Sequence, residues 1–95
     1  MEIRKSDVVL SLAGRDRGGL YFVLQTKEGF CWLADGSGRR VEKPKRKKLR
    51  HLRHVCRGDG ETAQRILRGD PVTNKELRRT LKALREGIDG AIEEG

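Results

Sequence analysis

The sequence predicts a mainly β protein, in which a small five-stranded barrel is followed by two C-terminal helices. Three observations lead to this fold class: apolar residues recur at every second position near the N-terminus, turn residues separate the short segments that follow, and the apolar spacing becomes helical after residue 57. Since 95 residues bury only a modest core, large enzymes are excluded. We expect a barrel over 1–57 and a helical extension over 58–95 whose C-terminus frays.

The first two strands are predicted at 7–13 and 20–26. Apolar side chains alternate along each of them, as they do in strands with one buried face. These side chains are Val8, Leu10 and Leu12 in the first strand and Leu20, Phe22 and Leu24 in the second. The backbone must therefore reverse its direction between the two segments.

The connection between these strands is rich in arginine and glycine. Gly14, Gly18 and Gly19 can adopt positive φ and allow the backbone to approach a ligand closely. Arg15 and Arg17 are free to contact phosphates or to stack on exposed bases. This combination predicts an RNA-binding loop; the alternative is a plain hairpin whose glycine serves a sharp corner of a small barrel.

Three further strands are predicted at 30–34, 39–43 and 50–55. Lys-Glu-Gly at 27–29 precedes the first of them and Asp-Gly-Ser-Gly at 35–38 precedes the second, as in consecutive antiparallel hairpins. Five short strands in so short a stretch indicate an SH3-like barrel.

The third strand contains the only tryptophan of the chain. Alternation places Phe30, Trp32 and Ala34 on one side of this strand and Cys31 and Leu33 on the other. Trp32 therefore belongs either to the core or to a stacking surface. The core is favoured, because a barrel of this size needs its large side chains.

The positive charge is concentrated in the predicted barrel. Residues 1–57 contain 15 Lys and Arg against 6 Asp and Glu, whereas residues 58–95 contain 7 against 8. Such a footprint suits an anionic polymer, because neutralised phosphates release condensed counterions; a merely soluble surface is the alternative. Pro44 disfavours a central strand, so 45–48 is predicted as a loop or barrel rim that grips phosphates, rather than a disordered segment. The candidate RNA-binding residues are Arg15, Arg17, Arg39, Arg40, Lys43, Lys45, Arg46, Lys47, Lys48, Arg50 and Arg53.

Two helices are predicted after Arg57. Asp59 is placed to cap the first, and Gly69 to end it. Thr73 and Glu76 match a capping box for the second, with Val72 placed to pack on Leu77. The apolar faces consist of Ala63, Ile66 and Leu67 in the first helix and of Leu77, Leu81, Leu84 and Ile88 in the second. The opposite, basic face of the second helix is either solvated or an extension of the RNA footprint; it contains Lys75, Arg78, Arg79, Lys82 and Arg85.

The sequence offers no chemistry for catalysis. It has no nucleophile and base at a recognisable spacing and no nucleotide-binding fingerprint, so neither an enzyme nor a cofactor is expected. Cys31, His51, His54 and Cys56 are zinc-ligand types, but they form no CxxC pair, and we expect no metal site. No apolar run is long enough for a membrane span and no signal-peptide pattern is present. A cytoplasmic location with both cysteines reduced is therefore predicted.

With these features in place, residues 5–56 resemble the KOW-domain RNA-binding proteins of bacteria that are similar to eukaryote-type large-subunit ribosomal proteins of the L-fourteen-e and L-twenty-seven-e group. The resemblance rests on residues 8–16, on Asp-Gly at 35–36, and on the lysine-rich segment that leads to Arg-His-Leu at 50–52. It implies that Gly14 is the signature glycine of the motif and that Arg15, Arg17 and residues 45–53 contact ribosomal RNA. Ribosomal proteins are further candidate partners.

The helical tail departs from the ribosomal pattern. An integral ribosomal protein, a ribosome-associated factor and a regulator of another RNA therefore stay open. In all three, Arg and Lys contacts to phosphate supply affinity, and stacking on Tyr21 or Trp32 adds selectivity. The alternative from another class is a protein–protein adaptor that docks on polymerase or ribosomal proteins, as transcription-elongation KOW domains do.

Overall fold

A five-stranded antiparallel sheet forms the body of the protein in a computed structural model, which describes the backbone of residues 2–94 and the side chains of residues 2–87. The strands are β1 (Val8–Ser11), β2 (Leu20–Lys27), β3 (Phe30–Ala34), β4 (Lys45–Lys48) and β5 (Leu52–Cys56), and the helices are α1 (Gly60–Arg68) and α2 (Asn74–Glu94). Short 3-10 turns lie at Gly14–Asp16 and Leu49–His51. The strand order is β4-β3-β2-β1-β5, so the sheet is open, with β4 and β5 at its edges. The prediction of a mainly β fold with two helices is confirmed.

The fourth strand does not lie where the sequence pattern placed it. Residues 39–43 form a turn rather than a strand, in which Lys43 N donates to Arg40 O at 3.0 Å. The segment Lys45–Lys48, predicted as a loop or rim, pairs instead with β3. Both predictions were wrong because Pro44 was taken to exclude a strand at 45–48. Pro44 lies just before β4, and β4 is an edge strand, which tolerates a flanking proline and a run of lysines.

The two faces of the sheet carry two separate hydrophobic clusters. The inner cluster consists of Val9, Tyr21, Val23, Cys31, Leu33 and Leu52. The outer cluster consists of Val8, Leu20, Phe22 and Ala34 from the sheet and Ile66, Leu77 and Leu81 from the helices. The helices therefore cover the outer face, and the sheet curls around the inner cluster.

Trp32 belongs to neither buried cluster of the described residues and is half-buried, so the expectation of a core tryptophan was wrong. Its strand neighbours Cys31 and Leu33 fill the inner side. Trp32 thus faces outward, on the same side as Ala34 but beyond the residues that the helices cover.

Helix α1 begins after Asp59 and ends at Gly69, which adopts φ 78°. The carboxylate of Asp59 makes no capping hydrogen bond, so the helix start depends on packing rather than on this side chain. Leu67 was expected to share the buried face, but it is 48% exposed. The buried residues of α1 are Thr62, Ala63 and Ile66, and Ile66 belongs to the outer cluster.

Helix α2 begins with the predicted capping box. Glu76 N donates to Thr73 Oγ1 at 3.1 Å, and Thr73 N donates to Glu76 Oε2 at 3.0 Å. Val72 packs against the cluster that contains Leu77, as expected of a hydrophobic staple. The helix continues to Glu94; the tail predicted to fray, and the side chain of Ile88, lie beyond the last described side chain.

Leu77→Ala should reduce the free energy of unfolding by about 2–5 kcal/mol, because Leu77 is fully buried between α2 and the sheet. The matched control is Leu67→Ala, the same substitution at an exposed helical position, which should cost less than about 1 kcal/mol. Urea unfolding monitored by circular dichroism measures both. Equal costs for the two variants would contradict the docking of α2 on the sheet.

Candidate nucleic-acid interface

The loop between β1 and β2 is a compact 3-10 turn that presents two arginines. Gly18 N donates to Ser11 O at 2.8 Å and Gly19 N to Asp16 O at 3.0 Å, which closes the loop at its base. Arg15 and Arg17 are exposed on the outside of this turn. Neither of them forms an ion pair with another side chain in the described part of the chain.

The three loop glycines serve two different purposes. Gly14 and Gly18 adopt φ 74° and 86°, a conformation that side chains disfavour. Gly19 does not adopt positive φ; a Cβ there would lie 2.7 Å from Tyr21 Oη. Glycine at 19 is therefore required by close packing against a buried phenol.

Asp16 connects this loop to β4 and to the connection between β3 and β4. Arg39 donates to both carboxylate oxygens, from Nε to Oδ1 at 3.1 Å and from Nη2 to Oδ2 at 3.0 Å. Tyr21 Oη donates to Oδ1 at 3.2 Å, and Lys47 Nζ lies 3.5 Å from Oδ2. Lys47 Nζ also donates to Ser11 Oγ at 2.9 Å. We call these four side chains, Asp16, Tyr21, Arg39 and Lys47, the Asp16 hub.

The contacts within the hub shift the pKa of Asp16 and the pKa of Tyr21. Burial works against the charged form of Asp16, but the hydrogen bond and charge of Arg39 and the charge of Lys47 outweigh it and hold the pKa of Asp16 below its ordinary value. Burial, with the nearby charges of Asp16 and Asp35, raises the pKa of Tyr21 to about 12. Tyr21 is thus a buried, protonated donor, and the expected stacking role does not fit its position.

Several of the other sequence-predicted cations lie on segments that contact the same loop. Lys47 Nζ donates to Ala13 O at 2.7 Å, and Leu12 N donates to His51 O at 2.9 Å. The β1–β2 loop, which we call the Gly14 loop, therefore contacts the 3-10 turn at Leu12 and β4 at Ala13. The exposed cations on these segments, which we call the basic surface, are Arg15, Arg17, Lys45, Arg46, Lys48 and Arg50.

The remaining predicted residues are placed differently. Arg40 and Lys43 are exposed on the connection before β4, where Arg40 Nε pairs with Glu42 at 3.3 Å. Arg39 and Lys47 are partly buried in the Asp16 hub. Arg53 lies on β5, where it lines the same surface pocket as Arg50 of the 3-10 turn.

A second buried carboxylate was missed by the sequence analysis. Asp7 is 2% exposed and accepts from Arg4 N at 2.8 Å and from Arg57 Nη1 at 3.2 Å, while His54 Nε2 lies 3.2 Å away. These partners come from two parts of the chain, the N-terminal segment and the end of β5. Because a buried carboxylate must be paired, Asp7 fastens the N-terminal segment to the end of β5.

Other chemistry is limited in the described residues. Cys31 and Cys56 are free thiols, and burial, with the charge of Asp7 next for Cys31 and of Asp59 for Cys56, raises the pKa of both, that of Cys31 to about 11. Over the described residues, no three His, Cys, Asp or Glu side chains come together as metal ligands would. None of the described helices combines the length and apolarity that crossing a membrane requires.

The sequence matches no protein-family model, and no curated protein matches it. The resemblance of residues 5–56 to KOW proteins therefore stays a prediction from the sequence.

Asp16→Asn should lower the free energy of unfolding at pH 7 by roughly 1–3 kcal/mol, because it leaves charged donors without their carboxylate. The folded-state pKa of Asp16 is lowered, so its contribution is present above its unfolded pKa and is lost as the pH falls through the folded pKa. The difference in the free energy of unfolding between wild type and variant, measured by urea titration, should therefore become smaller as the pH is lowered from 5 towards 2. The control Asp70→Asn removes an exposed pair with Arg68 and should change stability by less than about 0.5 kcal/mol. A gap that does not depend on pH would contradict the role of the Asp16 charge.

Proposed function

We propose that this protein is a non-catalytic RNA-binding module that holds structured RNA, ribosomal RNA above all, through the Gly14 loop and the basic edge of its sheet. The observation that carries the proposal is the convergence of three cation-bearing segments at Leu12 and Ala13. A cytoplasmic location belongs to the same proposal, and the two free thiols are consistent with a reducing compartment.

We further propose that the sheet is an SH3-like barrel of the KOW kind. The strand order and the 3-10 turn between β4 and β5 support this fold. Lys47 supports it as well, because its side chain reaches from β4 to Ser11 at the end of β1 and bridges the two sides of the curled sheet. The Gly14 loop then occupies the place of the KOW signature loop.

Phosphate contacts account for the expected affinity. Each cation of the basic surface that neutralises a phosphate releases a condensed counterion. If about six cations do so, the logarithm of the binding constant falls with the logarithm of the salt concentration with a slope of roughly −4 to −5. Such contacts fix the position of the RNA on the protein and carry no base preference.

The exposed surface favours RNA over a protein partner docked through apolar contacts. In the part of the chain with described side chains, the large hydrophobic residues that are exposed are Leu12 at 39% and Leu67 at 48%. Leu12 directly follows β1 and Leu67 lies on α1. Isolated exposed apolar residues of this kind are common on the surface of monomeric proteins. The adaptor alternative is therefore an outcome of the test below rather than the preferred function.

Reversing both loop arginines, Arg15→Glu with Arg17→Glu, should weaken RNA binding roughly 10- to 100-fold, because two phosphate contacts become repulsive. The matched control is Lys75→Glu with Arg79→Glu, which makes the same change in charge on exposed positions of α2. Fluorescence anisotropy with ribosomal RNA fragments measures the affinity, and circular dichroism verifies the fold. Full binding by the folded loop variant would refute the assignment of the loop.

Ribosomal RNA should be the RNA recovered when the tagged protein is crosslinked in its own cells and the bound RNA is sequenced. Co-sedimentation with ribosomes should be strong at low salt and fall steeply at moderate salt, with the slope given above. Recovery of no RNA, together with a protein partner that survives high salt, would replace this proposal with the adaptor.

A further inference from the structure

The half of the outer sheet face that the helices leave open carries two cross-strand rows of side chains. Residues paired directly across antiparallel strands share a face and lie about 4.5–5.5 Å apart at Cβ. The rows are Gln25, Trp32 and Arg46 in one and Lys27, Phe30 and Lys48 in the other. We call these six side chains the aromatic face; each row has its aromatic residue in the middle.

Both rings face outward and are half-buried. Cys31 and Leu33, which alternate with them along β3, are almost fully buried in the inner cluster. Phe30 and Trp32 must then lie on the other side of the sheet, and neither belongs to the cluster that packs under the helices. Strand β3 lies between β2 and β4, so the backbone that carries the two rings is held on both sides.

The charges around the rings define the chemistry of a ligand. Arg46 Cζ lies over the Phe30 ring, 4.7 Å from its centroid, at the distance of a cation–π contact. Lys27 and Lys48 flank the same ring, and none of the six side chains carries a negative charge. A flat π surface bordered by cations fits a nucleobase attached to phosphates.

We propose that the aromatic face is a stacking subsite for unpaired bases, with Trp32 as its principal platform and Arg46 and Lys48 as contacts for the adjoining phosphates. This inference rests on the proposed function and narrows it. Bases inside a duplex are stacked on one another and cannot reach such a surface, so the protein selects RNA that has a single-stranded loop, bulge or end beside the phosphates held by the basic surface.

The single tryptophan makes the subsite directly observable. Stacking of a base on Trp32 should quench its fluorescence when the full chain is titrated with a 12-nucleotide oligouridylate at low salt. The controls are a duplex RNA and an abasic oligonucleotide of the same length, which offer phosphates without accessible bases and should bind with little quenching.

Trp32→Ala should weaken binding of the labelled oligouridylate about tenfold, within the range of roughly 5- to 150-fold that the loss of one stacked base produces, and leave duplex binding within about twofold. Trp32→Phe retains a flat ring and the local packing, so it should keep most of the affinity. It is the control that distinguishes loss of stacking from misfolding of the alanine variant. Thermal unfolding of both variants is measured alongside.

The two proposals fail in different ways. Tight binding of RNA with no quenching, and unchanged oligouridylate affinity in folded Trp32→Ala, would overturn the stacking subsite and leave the RNA-binding function intact. Equal quenching by the abasic oligonucleotide would also overturn the subsite. Failure to bind any of the RNA probes at low salt would overturn the proposed function itself.

Discussion

The carboxylate of Asp16 is the interaction on which the arrangement of the candidate site depends. The hydrogen bonds of the sheet leave β4 and the β1–β2 loop unconnected, because β3 and β2 lie between β4 and β1. Asp16 joins them through a two-pronged bond from Arg39 and the nearby ammonium of Lys47. With charged donors on both sides, the cost of partly burying the carboxylate is offset, and the loop is held against the edge strand.

The Asp16 hub divides the cations near the β1–β2 loop into two groups. Arg39 and Lys47 both contact Asp16, whose single negative charge offsets one of their two positive charges within the protein. Arg15 and Arg17 project from the turn that Asp16 fixes, and their charge stays available to a ligand. One acidic residue in a basic loop thereby orders the loop without cancelling the field that would attract RNA.

The helices determine which part of the outer face stays open. Helix α2 is fastened at its start, where Val41 N donates to Asn74 Oδ1 at 2.8 Å and Gly36 approaches Asn74 O so closely that a Cβ would lie 2.1 Å from it. This contact anchors the helix near Ala34, at one end of β3. Phe30 lies at the other end, about 13 Å away for a strand of this length. The same docking that buries Ala34 thus leaves the aromatic face uncovered.

The sequence predicts what local interactions determine and fails where distant segments choose partners. The capping box of Thr73 and Glu76 is set within four residues, and it was read correctly. The position of the fourth strand depends on which basic segment pairs with β3. The pattern around Pro44 does not decide this, because the pairing is formed only in the folded protein, where 39–43 is a turn. The side of β3 that faces inward was equally undetermined, since alternation gives two faces without saying which one is covered. The prediction for Trp32 was wrong for that reason. The alternation along β3 was correct, but the exposure of Trp32 depends on how much of the outer face the helices cover, and the sequence pattern does not show this.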